Sequence, residues 1–133
     1  MSMRNIIIWA LKLVIAVILL QTLSFKFTAH PQSVYIFSKI GLEPYGRIGI
    51  GIMELIAVIL LFIPKTSWLG AGLSAGLMAG ALLFHLTSLG IEVDGDSFLF
   101  LYALIAFIAS ILLLLLYYKF IMSLLKDLLH KNA

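Results

Sequence analysis

The feature that most limits the fold is the stretch at residues 70–90, GAGLSAGLMAGALLFHLTSLG, which holds no formally charged residue apart from whatever proton His85 carries. A run of that length and apolarity crosses a bilayer as a helix. Gly72, Gly76 and Gly80 recur at i, i+4 and i+8, with Ala75 and Ala79 beside them. One face is therefore nearly bare backbone and is expected to receive another helix at close range, from the same chain or from a second copy in a homodimer. At about 100° per residue, His85 projects from the opposite side with Ser74, Met78 and Ala81. An imidazole pointing into lipid is costly, so protein is expected against both faces.

Composition extends that constraint to the whole chain. Its 133 residues are 63% hydrophobic and 11% charged, well beyond the apolar share of a soluble domain. The length allows about four helical spans with short connections, which predicts one integral membrane domain over residues 1–133 without a soluble catalytic module. The formal charge of +3 bears on topology. No basic run with interleaved aromatics points to nucleic acid. The absence of cysteine excludes thiol redox chemistry, disulfides and Cys-ligated metal within the chain, and leaves the compartment open. Arg4 followed by an apolar run resembles a secretory signal, but no small-x-small cleavage site follows, so the segment is expected to stay as an anchor.

Spans are predicted at residues 6–25, 47–63, 68–89 and 98–118, giving an all-α membrane protein built as a four-transmembrane-helix bundle. Lys12 lies about 10 Å into the first span and is expected to snorkel back to the headgroups. Between the first two spans, His30-Pro31-Gln32-Ser33 starts a short amphipathic helix with Val34, Phe37 and Ile40 on one side and Gly41 as its stop. The loop with Glu92, Asp94 and Asp96 is expected to be a turn and helix cap, because the remaining oxygen ligands of a calcium loop are missing. The leucine run of the fourth span is expected to face lipid. After it, residues 119–131 place Ile121, Leu124, Leu125 and Leu128 opposite Lys119, Lys126 and His130, the pattern of a basic interfacial helix. Arg4, Lys12, Lys65, Lys119, Lys126 and Lys131 gather on one side of such a bundle. The positive-inside rule then puts both termini in the cytoplasm of an inner-membrane, multi-pass protein.

This topology brings Glu54, the one acidic residue inside a hydrophobic stretch, to the same half of the bilayer as His85. Lys26, Arg47 and Tyr45 close that end, with His30 nearby in sequence. A carboxylate, an imidazole and basic groups under an amphipathic flap make a small-molecule site able to handle protons and hold a quinone oxygen or an anionic head. The same residues admit a second reading, in which Glu54 is bonded to His85 or Lys26 only to fix helix register. No catalytic residue is assigned. His30, His85 and His130 form no metal constellation, since only His85 is deep.

Taken together, LSFKF at residues 23–27, LEPYGRIGIGIMELIAVILLFIP at 42–64 and GAGLSAGLMAGALLFHLTSLGIEV at 70–93 resemble the DoxX family of small four-span membrane proteins. The resemblance covers roughly residues 16–118. It implies a four-helix bundle related to the small membrane subunit of thiosulfate:quinone oxidoreductases, with Lys26, Glu54 and His85 at the family's polar positions. The absence of cysteine separates this chain from relatives that perform disulfide chemistry, and it has no evident sulfur-handling group. The expected function is that of an accessory or anchoring subunit of an oxidoreductase system, binding a quinone or similar amphiphile in the bundle. The alternative is a structural or assembly protein with no ligand chemistry. A small carrier is the weaker third, since one four-helix copy offers little room for alternating access.

Overall fold

In the computed structural model, the described residues are 2–93, 95 and 97–131. They form six α-helices and no strand: α1 (Met3–Phe27), α2 (Pro31–Lys39), α3 (Tyr45–Phe62), α4 (Ser67–Phe84), α5 (Phe98–Leu116) and α6 (Tyr118–Lys131). α4 continues as a π-helical turn, His85–Leu89. α1, α3, α5 and the α4 segment with its flanking turns are long and apolar enough to cross a bilayer. They pack in a closed ring in which α1 meets α3, α3 meets α4, α4 meets α5 and α5 returns to α1.

Side-chain periodicity explains the ring. α1 buries Ile8, Lys12, Ile15, Leu19 and Leu23 at three- and four-residue spacing, and α3 buries Arg47, Gly51, Glu54, Ala57, Val58 and Leu61 in the same way. α5 contributes small residues, Ala103, Ala106, Ala109 and Ser110, and so approaches α4 closely. There the hydroxyls of Ser110 and Ser74 lie 2.8 Å apart, both fully buried. Leu113 is also fully buried, so the leucine run is not uniformly lipid-facing as expected; Ile111, Leu112 and Leu115 are the exposed members.

The α3–α4 connection is tight because hydroxyls answer the carbonyls that a helix end leaves open. Thr66 donates to Leu60 O at 2.9 Å and Ser67 donates to Leu61 O at 2.8 Å. Just beyond, Gly70 has no room for a side chain, since a Cβ would lie 2.6 Å from Leu61 N and 2.8 Å from Ala57 O. This is where the two backbones touch.

The expected close packing at Gly72, Gly76 and Gly80 does not occur within the chain. A Cβ at any of the three would meet no described atom within 4 Å, and Gly76 is exposed. Periodicity groups these glycines on one face, but the rotation of α4 gives the contact with α3 to Gly70 instead.

α1 ends with Ala29 in the left-handed region at φ 52, with His30 N donating to Phe25 O and Ala29 N to Lys26 O. α2 starts as expected, with His30 Nδ1 accepting from Gln32 N and Pro31 in the first turn. It stops at Gly41, φ +77, where Gly41 N donates to Ser38 O and Leu42 N to Phe37 O, a Schellman closure. Ser33 and Phe37 are its buried residues. α6 buries none, leaving its amphipathic sides free of the bundle.

Lys12 departs from expectation. It is only 6% exposed, with Nζ 5.0 Å from the Trp9 ring centroid and 6.0 Å from that of Tyr117. Helical side chains lean toward the N-terminus, which carries the ammonium back to Trp9 under the cover of aromatic faces. The expected turn at Asp94 and Asp96 lies outside the described residues, apart from Gly95, whose φ is +77.

Candidate functional site

The last turns of α1 carry Thr22 and Lys26 four residues apart, hence on one face, and the buried stripe of α3 carries Glu54 toward them. Lys26 Nζ lies 2.6 Å from Glu54 Oε1, and Thr22 Oγ1 donates to Glu54 Oε2 at 2.5 Å. The carboxylate is 1% exposed and the lysine side chain 14%, so the pair is sealed at its acidic end and closer to the edge at its basic end. Oε1 has the ammonium as counter-ion but no aligned hydrogen bond, which leaves acceptor capacity on a buried carboxylate.

His85 sits where α4 passes into its π-helical turn, a geometry that re-aims side chains. Its Nδ1 is 2.9 Å from Gly90 O. A carbonyl oxygen only accepts, so Nδ1 holds a proton and the other nitrogen is defined by default. Nε2 is an acceptor when the ring is neutral and a donor when it is protonated. No described residue hydrogen-bonds it, although His85 is only 5% exposed. Phe100 packs edge-on to the ring, with centroids 5.7 Å apart.

Of the two partners expected for Glu54, the structure gives it Lys26, with Thr22 beside it, while His85 is bonded to Gly90. What joins them is a cavity of about 230 Å³ in the half of the bundle nearest α2. Thr22, Lys26, Glu54 and His85 line it, with Gln32 and Ser33 of α2 above and Phe25, Ile36, Phe37, Met78, Phe84 and Leu99 among its apolar walls. Apolar walls with a few convergent polar groups are the usual make-up of a small-molecule site. α2 is thus the cover that the sequence suggested, tied further by Gln32 Nε2 donating to Val93 O at 3.4 Å.

The remaining candidates fall elsewhere. Arg47 is buried but does not line the cavity; it pairs with both oxygens of Glu43 at 2.9 Å and donates to Lys26 O, one of the carbonyls at the end of α1. Its role is to hold that helix end against α3, which positions Lys26 indirectly. Tyr45 is 86% exposed and His30 serves as the α2 cap beside Phe25. Gly76 and Gly80 do line the cavity, whereas Gly72 does not. Sequence reasoning missed Thr22, Gln32 and Ser33. Thr22 had a signal, its four-residue spacing from Lys26, and Ser33 had another, its place three and four residues before Ile36 and Phe37.

Fold and site together define a multi-pass, all-α membrane bundle with a polar cluster enclosed in an apolar cavity. The chain belongs to the DoxX-like family, whose sequence model matches residues 10–111. No curated protein and no solved structure gives a significant match.

Proposed function

We propose that the protein binds a quinone or similar amphiphile within its bundle and serves as an accessory or anchoring subunit of an oxidoreductase system. The observation that carries this reading is the single cavity shared by the Lys26–Glu54 pair and the open Nε2 of His85, walled by apolar side chains. With Nδ1 fixed on Gly90, neutral His85 accepts from a quinol hydroxyl and protonated His85 donates to a quinone carbonyl. Lys26, the more accessible partner of its pair, supplies the positive charge nearest the cavity rim. The basic residues around the termini favour an inner membrane with both ends in the cytoplasm, which puts the cavity in the outer half of the bilayer.

A structural or assembly role is the second reading, favoured by the way Glu54 ties α3 to Thr22 and Lys26 of α1. Native mass spectrometry of the purified protein with its co-extracted lipids separates the two. A stoichiometric quinone supports the ligand reading. An empty bundle attached to a defined protein partner supports the assembly reading.

A further inference from the structure

α3 and α4 are in backbone contact at Gly70, next to the turn that joins them, where a Cβ would collide with Leu61 and Ala57 backbone atoms. Ten residues on, about 15 Å by helical rise, α4 presents a different face at Gly80, turned by roughly 80° from Gly70. Gly80 has no described atom within 4 Å of where a Cβ would stand, and the cavity lies beside it. Gly76 is at once exposed on the outside of the bundle and part of the cavity wall. A residue with both properties marks a rim. The α4 backbone at Gly76 and Gly80 therefore bounds the cavity on one side, and α2 lines it with Ser33, Ile36 and Phe37. At that rim, Gly76 and Gly80 give the cavity a stretch of wall without side chains. The cavity also holds the largely buried His85 ring, whose Nε2 is bonded by no described residue, and the Lys26–Glu54 pair.

We infer that the glycines at 76 and 80 form a lateral portal through which a single-tailed amphiphile reaches the cavity from the membrane. Its hydroxyl- or carbonyl-bearing head lies at His85 and the Lys26–Glu54 pair, and its tail leaves over Gly76 and Gly80. A portal of bare backbone accommodates one chain lying along α4, on a face that no described helix of this chain covers. This inference rests on the ligand reading above and adds the route, the direction of the tail and the number of tails.

The test titrates the protein in phosphatidylcholine nanodiscs with decyl-ubiquinone and, separately, with the tail-less 2,3-dimethoxy-5-methyl-1,4-benzoquinone, measuring bound quinone after rapid separation. Gly80→Leu and Gly76→Leu place a side chain in the portal, while Gly72→Leu makes the same change on the same face outside the cavity. All three sites have open space for a Cβ, and the melting temperature of each variant is recorded so that binding is compared on folded protein. The portal predicts that Gly80→Leu weakens decyl-ubiquinone binding by about ten-fold or more, that Gly76→Leu follows it, and that Gly72→Leu changes nothing. Binding of the tail-less quinone should be retained throughout. Unchanged decyl-ubiquinone binding in Gly80→Leu and Gly76→Leu refutes the portal and leaves the ligand reading standing. Equal loss of both quinones also refutes it, because the leucine would then be filling the head site. A wild-type protein that binds neither quinone refutes the portal and the ligand reading together.

Discussion

Gly70→Ala is the sharpest probe of the α3–α4 packing, because it acts at the backbone contact rather than in the cavity. The added methyl would stand 2.6 Å from Leu61 N, 2.8 Å from Leu61 Cα and 2.8 Å from Ala57 O, all backbone atoms that cannot swing aside. To restore ordinary contact near 3.4 Å, α4 must withdraw by roughly 0.8 Å, and a gap of that size forfeits a quarter to a half of the dispersion energy between the atoms it separates. Overpacking of this kind costs about 1–3 kcal/mol. Gly72→Ala is the matched control, with no described atom within 4 Å of the new methyl. Both variants replace a glycine inside one helix, so the gain in helix propensity is common to them and the difference isolates the contact. Thermal unfolding in nanodiscs, followed by Trp9 and Trp68 fluorescence, should place Gly70→Ala below Gly72→Ala by about 1–3 kcal/mol. Equal stabilities would mean that α3 and α4 do not meet at Gly70.

Three further outcomes follow from the packing. Lys26→Met leaves Glu54 buried without its counter-ion and should cost about 3–5 kcal/mol, whereas Lys26→Met combined with Glu54→Leu should recover most of that loss while abolishing any ligand retention. Chemical denaturation of the two variants in mixed micelles checks the first part. Leu113→Ala, at a fully buried position, should destabilise by about 2–5 kcal/mol, and Leu112→Ala, at an exposed one, should be close to neutral. Reporter fusions after residue 133 and within the loop at Glu92 should score cytoplasmic and external respectively, and reversed signals would move the cavity to the inner half of the bilayer.

The helices were legible in the sequence, and so was the convergence of their polar groups, because a carboxylate or imidazole inside a hydrophobic run is tolerated only where partners converge. Glu54, His85 and Lys26 were legible for that reason, and α2 was legible from Pro31 and Gly41. Pairing was not. Periodicity states which residues share a face but not which face turns to which neighbour, so Gly72, Gly76 and Gly80 suggested a packed seam where the chain leaves one open, and the close contacts went to Gly70 and the alanines of α5. The same ambiguity put Arg47 and Tyr45 at the site. Arg47 is instead taken by Glu43, four residues earlier, and by the last turn of α1. Thr22 was passed over because a threonine in a membrane helix ordinarily satisfies itself on its own backbone, and Leu19 O lies within reach at 3.0 Å. Only the position of α3 offers it Glu54.

The central claim is that the buried cluster holds a ligand. The direct measurement is the quinone content per bundle, extracted from protein purified in nanodiscs, for the wild type, Glu54→Gln and His85→Leu, with thermal stability recorded on the same samples. The account predicts near-stoichiometric quinone in the wild type and a fall to background in both variants while the bundles remain folded. Equal quinone content in all three proteins, or loss of stability in step with any loss of quinone, would contradict it and leave the cluster as a fastening between α1 and α3.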